Sequence, residues 1–190
     1  MRRLTVFNQQ SLDGYFSSTG GDVSWTHPKG EDPEFAEFSA NNARSGGVLV
    51  FGRTTYEMMA SFWTMPVAAK QFPVLAEQMT KLPKIVFSRT ITKPTWNNTT
   101  VMKGDVVAEL RKLKSEPGAD MAILGSGSIV APLVQAGLID QLGIMVIPVV
   151  LGAGRTMFAG VEIRLDFTLA STRSFRNGRV FSSYEPKLRG

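Results

Sequence analysis

Met121-Ala122-Ile123-Leu124-Gly125-Ser126-Gly127-Ser128-Ile129-Val130 is the stretch that decides the fold. Its four leading apolar residues read as a short buried strand, the Gly-Ser-Gly-Ser run as a tight turn, and Ile129-Val130 as the opening of a helix. A helix start exposes backbone N–H groups with no partner inside the helix and carries a partial positive charge. Glycines let an anion approach such a backbone, so phosphate is the natural guest. The same order recurs upstream, in Val48-Leu49-Val50-Phe51-Gly52-Arg53-Thr54-Thr55. Two strand–turn–helix junctions in one small chain predict a dinucleotide held at the carboxyl ends of sheet strands.

Around these junctions the rest of the chain falls into place. Residues 3–8 read as a first strand, Ser11-Leu12-Asp13-Gly14 as the turn after it, and Tyr15-Phe16 as extended chain. Residues 20–30 read as a loop. Asp32-Pro33 opens a helix to about residue 44, with Asp as N-cap, Pro at the first helical position, Phe35 and Phe38 facing inward, and Gly46-Gly47 as the stop. A helix is expected over 54–62, and strands over 84–88 and 99–102. Asp105 caps a helix whose Val106, Val107, Leu110 and Leu113 recur at helical spacing. Residues 128–136 read as a helix with Pro132 near its first turn, where a missing N–H does least harm. The tail changes character. Residues 142–150 are strand-like with a break at Pro148, and 165–175 and 179–184 flank Asn177-Gly178, a hairpin signal for a type I′ turn with positive φ at both central residues. Strand–helix alternation with an antiparallel end predicts an α/β chain: a mixed, mostly parallel sheet, helices on both faces, and a C-terminal antiparallel hairpin. No repeat or linker divides the sequence, so residues 1–190 are expected to form one domain.

Composition removes several function classes. A hydrophobic fraction of 43% suits a globular chain in water. The absence of cysteine excludes disulfides, thiolate nucleophiles and Cys-ligated metal, and fits a cytoplasmic protein. With His27 as the one histidine, His-x-x-x-His metal spacing is impossible, and there is no Gly-x-Ser-x-Gly elbow and no Walker lysine after the glycines. The net charge of +5 is spread thinly, with a small cluster at Arg111, Lys112 and Lys114. That pattern is a solvated surface, not the basic stripe with interleaved aromatics that nucleic acid requires. Residues 142–151 form the longest apolar run and contain Pro148, too short to cross the ~30 Å of a bilayer, so no membrane partner is expected. Residues 4–7 are too short for a signal core. A chain with so few acids and bases is expected to leave the difficult chemistry to a cofactor.

The candidate site residues gather at strand ends. Arg53 beside a helix start offers a bidentate grip on phosphate. Ser88-Arg89 offers a hydroxyl and a guanidinium suited to a 2′-phosphate, which favours NADP over NAD. Leu151-Gly152-Ala153-Gly154-Arg155 either approaches the cofactor or reverses the chain. Asp13 either relays a proton or orients substrate, or else stabilises an Asx-turn. Trp25, Phe35, Tyr56, Phe62 and Trp63 could line a flat pocket, although most aromatics are core. Glu34 and Glu37 read as the solvated face of their helix.

In order along the chain, Ser11-Leu12-Asp13-Gly14, Trp25, Gly52-Arg53-Thr54-Thr55-Tyr56-Glu57, Val86-Phe87-Ser88-Arg89, Leu124-Gly125-Ser126-Gly127, Ile139-Asp140-Gln141-Leu142 and Pro148-Val149-Val150-Leu151-Gly152-Ala153-Gly154 resemble the dihydrofolate reductase-like superfamily. The similarity is closest to the C-terminal reductase domain of the riboflavin biosynthesis protein RibD and its stand-alone bacterial relatives, and it spans nearly the whole chain. The resemblance implies a three-layer α/β/α sandwich and NADPH as hydride donor to a small pyrimidine-like, pterin-like or carbonyl substrate. It implies that Gly52, Arg53 and Thr54 meet the cofactor phosphates. It puts Ser88 and Arg89 at the 2′-phosphate, and Gly125, Ser126, Gly127, Ser128 and Ile129 around the pyrophosphate. Asp13, as the catalytic residue, and Gly14 would border the nicotinamide; Trp25, Phe35, Tyr56 and Trp63 would meet the substrate. It also implies a homodimer. The riboflavin-pathway reductases carry an Asp-x-Pro-x-Leu-x-x-Arg stretch where this chain reads Ser61-Phe62-Trp63-Thr64-Met65-Pro66, without the Arg. The alternative is a non-catalytic nucleotide-binding protein of the same fold.

Overall fold

The computed structural model describes residues 1–27, 32–44 and 47–187. Its first strand, β1 (Leu4–Ser11), runs through the middle of an eight-stranded sheet. Beside it lie β6 (Met121–Leu124), β3 (Val48–Gly52), β4 (Lys84–Phe87) and β5 (Thr99–Met102) on one side. On the other lie β7 (Gln141–Ile147), β10 (Val180–Pro186) and β9 (Phe167–Ser174). Pairing is parallel from β5 to β7 and antiparallel for the last two strands. The expected mixed, mostly parallel sheet with a terminal hairpin is therefore the observed one. Two short strands, β2 (Tyr15–Ser18) and β8 (Gly154–Thr156), pair antiparallel away from it. So the glycine-rich turn at 151–155 leads into a strand and not a helix.

Side chains alternate across a strand, so each strand feeds both faces. Leu4, Val6, Val50 and Ile123 enter a core with Leu110, Val130 and Leu133 of α5 (Val106–Ser115) and α6 (Gly127–Gln135). On the opposite face, Leu49, Phe51 and Val86 pack with Tyr56 and Ala60 of α2 (Arg53–Trp63) and Met79 of α4 (Pro73–Lys81). That face carries a second cluster, in which Phe35 and Phe38 of α1 (Pro33–Arg44) meet Met145, Phe175 and Phe181. These layers are the α/β/α arrangement that the resemblance implied.

Local chemistry explains the boundaries. Asp32 Oδ1 accepts from Phe35 N–H at 3.0 Å and Asp105 Oδ1 from Ala108 N–H at 2.9 Å, the two expected N-caps. Of the expected stop at Gly46-Gly47, Gly46 lies outside the described residues; Gly47 has a φ of 107°. Two α-helices went unread: α3 (Pro66–Gln71) and α4, each opened by proline at its first turn. Two details are corrected. The helix after Gly125 begins at Gly127, so Pro132 falls in its second turn. The hairpin turn is not type I′: Gly178 has a φ of 81° while Asn177 is absent from the positive-φ residues. Gly178 N–H donates to Phe175 O at 3.0 Å and Phe175 N–H to Arg179 O at 2.9 Å, a three-residue loop with glycine in the left-handed position.

Candidate functional site

The parallel strands all end on one edge, so the turns after β3, β4 and β6 open on the same side. They share one cavity of about 320 Å³, lined by Gly52–Thr55, Phe87–Thr90, and Ser126, Ser128 and Ile129. Its size falls at the lower end of small-ligand pockets, about 300–1,000 Å³. The three turns selected from the sequence thus converge. Thr55, Phe87 and Thr90 line the cavity without having been selected; Thr55 lies in the first turn of α2, and Thr90 was legible only as a neighbour of Ser88.

Two helix N-termini point into this space. Gly52 and Ser126 are the N-cap positions of α2 and α6, and neither end has a side-chain cap or an acidic residue in its first turn. Most helices settle their leading N–H groups with a Ser, Thr, Asp or Asn cap. Here the ends retain positive character, and an incoming anion can take the cap's role. Ser126 does not cap its own helix. Its hydroxyl accepts from Gly52 N–H at 3.0 Å, which ties the two junctions together. To do so it adopts φ 60° and ψ 56°, a left-handed conformation that costs a non-glycine residue about 1–2 kcal/mol. Gly125 before it is also left-handed, with a φ of 63°.

The glycines have separate reasons. A Cβ at Gly127 would come within 2.7 Å of the Phe16 ring, so packing against β2 requires that glycine. A Cβ at Gly52 would meet Ser126, Ser128 and Ile129 at ordinary distances of 3.5–3.6 Å; it would only occupy the floor of the cavity.

The cations differ in what already holds them. Arg53 pairs with Glu57 one turn along α2 at 3.0 Å, both half-exposed. Arg89 is exposed and has no hydrogen bond or ion pair among the described residues. Ser88 is 8% exposed, and its Oγ accepts from Thr90 N–H at 3.2 Å and Ile91 N–H at 3.0 Å. That hydroxyl shapes the turn that presents Arg89, and Ser88 lines the same cavity.

Asp13 is a fastener in this structure. Its carboxylate accepts from Leu151 N–H at 3.1 Å and Gly152 N–H at 2.7 Å, joining the turn after β1 to the turn after β7. The Ser11 hydroxyl, then the Gly152 and Leu151 amides, hold its carboxyl below the usual carboxylate range despite some desolvation. A group shifted that way is a poor proton donor near neutrality, and its two amide contacts are those of the turn-stabilising alternative. Gly14, with a φ of 85°, completes this turn.

The four expected substrate aromatics do not gather. Tyr56 is 2% exposed; its hydroxyl accepts from Trp96 N–H at 3.0 Å, inside the cluster under α2. It is core, which corrects its assignment to substrate. Trp63 packs on that same cluster and donates to Met59 Sδ at 3.3 Å. Trp25 and Phe35 belong to the other cluster, and the Arg179 guanidinium lies 4.5 Å from the Phe35 ring centre. The two sides meet where α1 packs on α4, and the His27 and Phe62 rings lie 6.4 Å apart.

Comparison with known proteins agrees with this geometry. Residues 2–181 match the RibD C-terminal domain family. The uncharacterized protein YyaP of Bacillus subtilis (strain 168) is 28% identical over 185 residues, covering 94% of this chain and 92% of its own. Among solved structures, a Shewanella sp. PV-4 protein whose given name ties it to riboflavin biosynthesis superposes with a TM-score of 0.75 at 24% identity, over 98% of this chain and 99% of that one. Enterococcus faecalis dihydrofolate reductase, solved with NADP(H), superposes with a TM-score of 0.64 at 17% identity, over 98% and 97% of the two chains. The fold is that of dihydrofolate reductase.

Proposed function

The chain belongs to the RibD C-terminal domain family, and on that premise we propose that it is an NADPH-dependent reductase acting on a small heterocyclic or carbonyl substrate. One observation carries the reading: two helix N-termini without side-chain caps and an arginine unpaired among the described residues border a single cavity at the strand ends. When bound, NADPH would supply a hydride for a C=N or C=O carbon. The residues present fit such a molecule. The amides that open α2 and α6 would hold the diphosphate, and Arg89 would meet the 2′-phosphate. Ser126 keeps the two helix ends in register. Asp13 fixes the neighbouring turns that would flank the reacting ring. The protein's contribution is mainly orientation, which can be worth ~7–11 kcal/mol of barrier. With Asp13 held ionised, the balancing proton comes from solvent.

The same reading includes a homodimer in the cytoplasm. A sedimentation mass near 20.8 kDa would count against the dimer.

The test is cofactor discrimination measured by calorimetry. NADPH should bind more tightly than NADH. Arg89→Ala should weaken NADPH by ~1.5–3 kcal/mol, the worth of a charged hydrogen bond, and leave NADH nearly unchanged. Equal losses for both cofactors would remove Arg89 from the 2′-phosphate. Saturable NADPH binding with no oxidation across pteridines, pyrimidines and carbonyls would favour a non-catalytic nucleotide-binding protein.

A further inference from the structure

Strand β4 carries one charged residue, Lys84 at its start, and that residue is almost wholly buried. Among the described residues no carboxylate lies within ion-pair distance of it. An ammonium has three donors, and each of these meets a backbone carbonyl: Leu82 O at 2.7 Å, Thr80 O at 3.1 Å and Asn97 O at 3.2 Å. The Trp96 ring centre lies 4.5 Å away. Burying a cation without a counter-ion is costly, and methionine would fill the same space without that cost. Lysine differs from methionine here chiefly in its donors, so the carbonyls they reach define its task.

Thr80 and Leu82 belong to the end of α4, where helix carbonyls lack partners and a cation is favourable. The third acceptor belongs to another segment. Residues 88–98 connect β4 to β5, and Asn97 stands near the far end of that connector. Asn98 has a φ of 56°, and its own carbonyl accepts from Lys84 N–H at 2.7 Å, so two successive carbonyls meet one residue. Asn98 Nδ2 adds a bond to Lys81 O at 3.0 Å. Just before these ties, Trp96 is buried with Phe51 and Tyr56.

The near end of the same connector lines the cavity with Ser88, Arg89 and Thr90. Ser88 Oγ fixes the first turn there through the Thr90 and Ile91 amides. Arg89 is exposed and has no side-chain partner among the described residues, so only its backbone places it. That backbone is held at one end by the Ser88 turn and at the other by Lys84. Between the two ends Thr92, Lys93 and Thr95 are exposed.

We propose that Lys84 is a positioning residue for Arg89: it clamps the far end of the β4–β5 connector to α4 and so sets cofactor preference from outside the cavity. This deepens the reductase reading and rests on its assignment of Arg89.

The experiment measures NADPH and NADH affinities by calorimetry for wild type, Lys84→Met, Arg89→Ala and the double variant. Lys84→Met should lower the NADPH-over-NADH preference about threefold to tenfold, less than Arg89→Ala, because the guanidinium is still present. NADH affinity should hold. In the Arg89→Ala background Lys84→Met should change the preference no further, since both act through one contact. A preference that survives Lys84→Met, equal losses for both cofactors, or additive losses in the double variant overturns the proposal and leaves Lys84 a structural residue. Should Lys84→Met fail to fold, Asn98→Gly takes its place. It cuts the adjacent tie to Lys81 O, while glycine accepts the left-handed backbone. An unchanged preference in that variant likewise overturns the proposal. Failure of NADPH to bind, or a wild type that does not prefer it, would instead remove the reductase reading of Arg89. Amide exchange without cofactor then decides the role of Lys84. In Lys84→Met, exchange at Thr90 and Ile91 should quicken about tenfold more than at Val50 and Ile123 of the central strands. Uniform acceleration, or none, would show that Lys84 does not hold the connector.

Discussion

Ser126→Ala isolates the link between the two helix starts. The substitution keeps the backbone of the turn and removes the oxygen that accepts from Gly52 N–H at 3.0 Å. Gly52 is buried and Ser126 is 4% exposed, so the stranded amide gains little from solvent. An unsatisfied buried donor costs about 1–3 kcal/mol, which for a chain of this size lowers the melting temperature by roughly 2–4 °C per kcal/mol. Ser126→Gly loses the same hydrogen bond but relieves the left-handed φ of 60°. That relief is about 1–2 kcal/mol, offset by about 0.4–1 kcal/mol of added freedom in the unfolded chain. Glycine should therefore be the milder substitution by roughly 0.5–1 kcal/mol. Urea denaturation of the three proteins measures both differences. A Ser126→Ala variant as stable as wild type would show that this hydroxyl does not hold the junctions together, and a glycine variant weaker than alanine would refute the strain argument.

Other perturbations probe separate parts of the fold. Lys84 is 1% exposed, donates to the carbonyls of Thr80, Leu82 and Asn97, and lies 4.5 Å from the Trp96 ring centre. Burial pushes its ammonium from 10.5 down to about 8. The unfolded chain therefore holds the extra proton between those values, and stability should rise across that window by about 3 kcal/mol at most. Lys84→Met should flatten the rise, and a wild-type curve no steeper than the variant's would contradict the burial argument. Gly127→Ala should destabilise by about 1–3 kcal/mol through its clash with Phe16, and Phe16→Leu should recover part of the loss. If the double variant is as unstable as Gly127→Ala alone, ring contact is not the cause. Asp13→Ala should lower turnover with little change in cofactor affinity and should release the Leu151 and Gly152 amides to exchange. Because its carboxyl is depressed, the wild-type clasp should hold as pH falls through the usual carboxylate range and open only below it; loss of protection at the ordinary carboxylate pKa would refute this.

Strand and helix positions were legible wherever local chemistry sets them. Apolar runs at 48–51 and 121–124, and the caps Asp32 and Asp105, act within a few residues of themselves. The phosphate-ready turns were legible for the same reason, since a glycine-rich link between a strand and a helix is a short-range signal. Short helices α3 and α4 escaped because Phe72 ends one and Pro73 opens the next, leaving six and nine residues, too few for a clear apolar repeat.

What the chain alone determined was an α/β fold with glycine-rich strand-to-helix turns at its strand ends, because periodicity and caps belong to neighbouring residues. Only tertiary structure decided that Tyr56 is core, that Ser126 serves Gly52 and not its own helix, and that Asp13 is fastened to Leu151 and Gly152. Those partners lie 40 to 139 residues away along the chain. No pattern within a segment encodes a contact that depends on which strands end side by side.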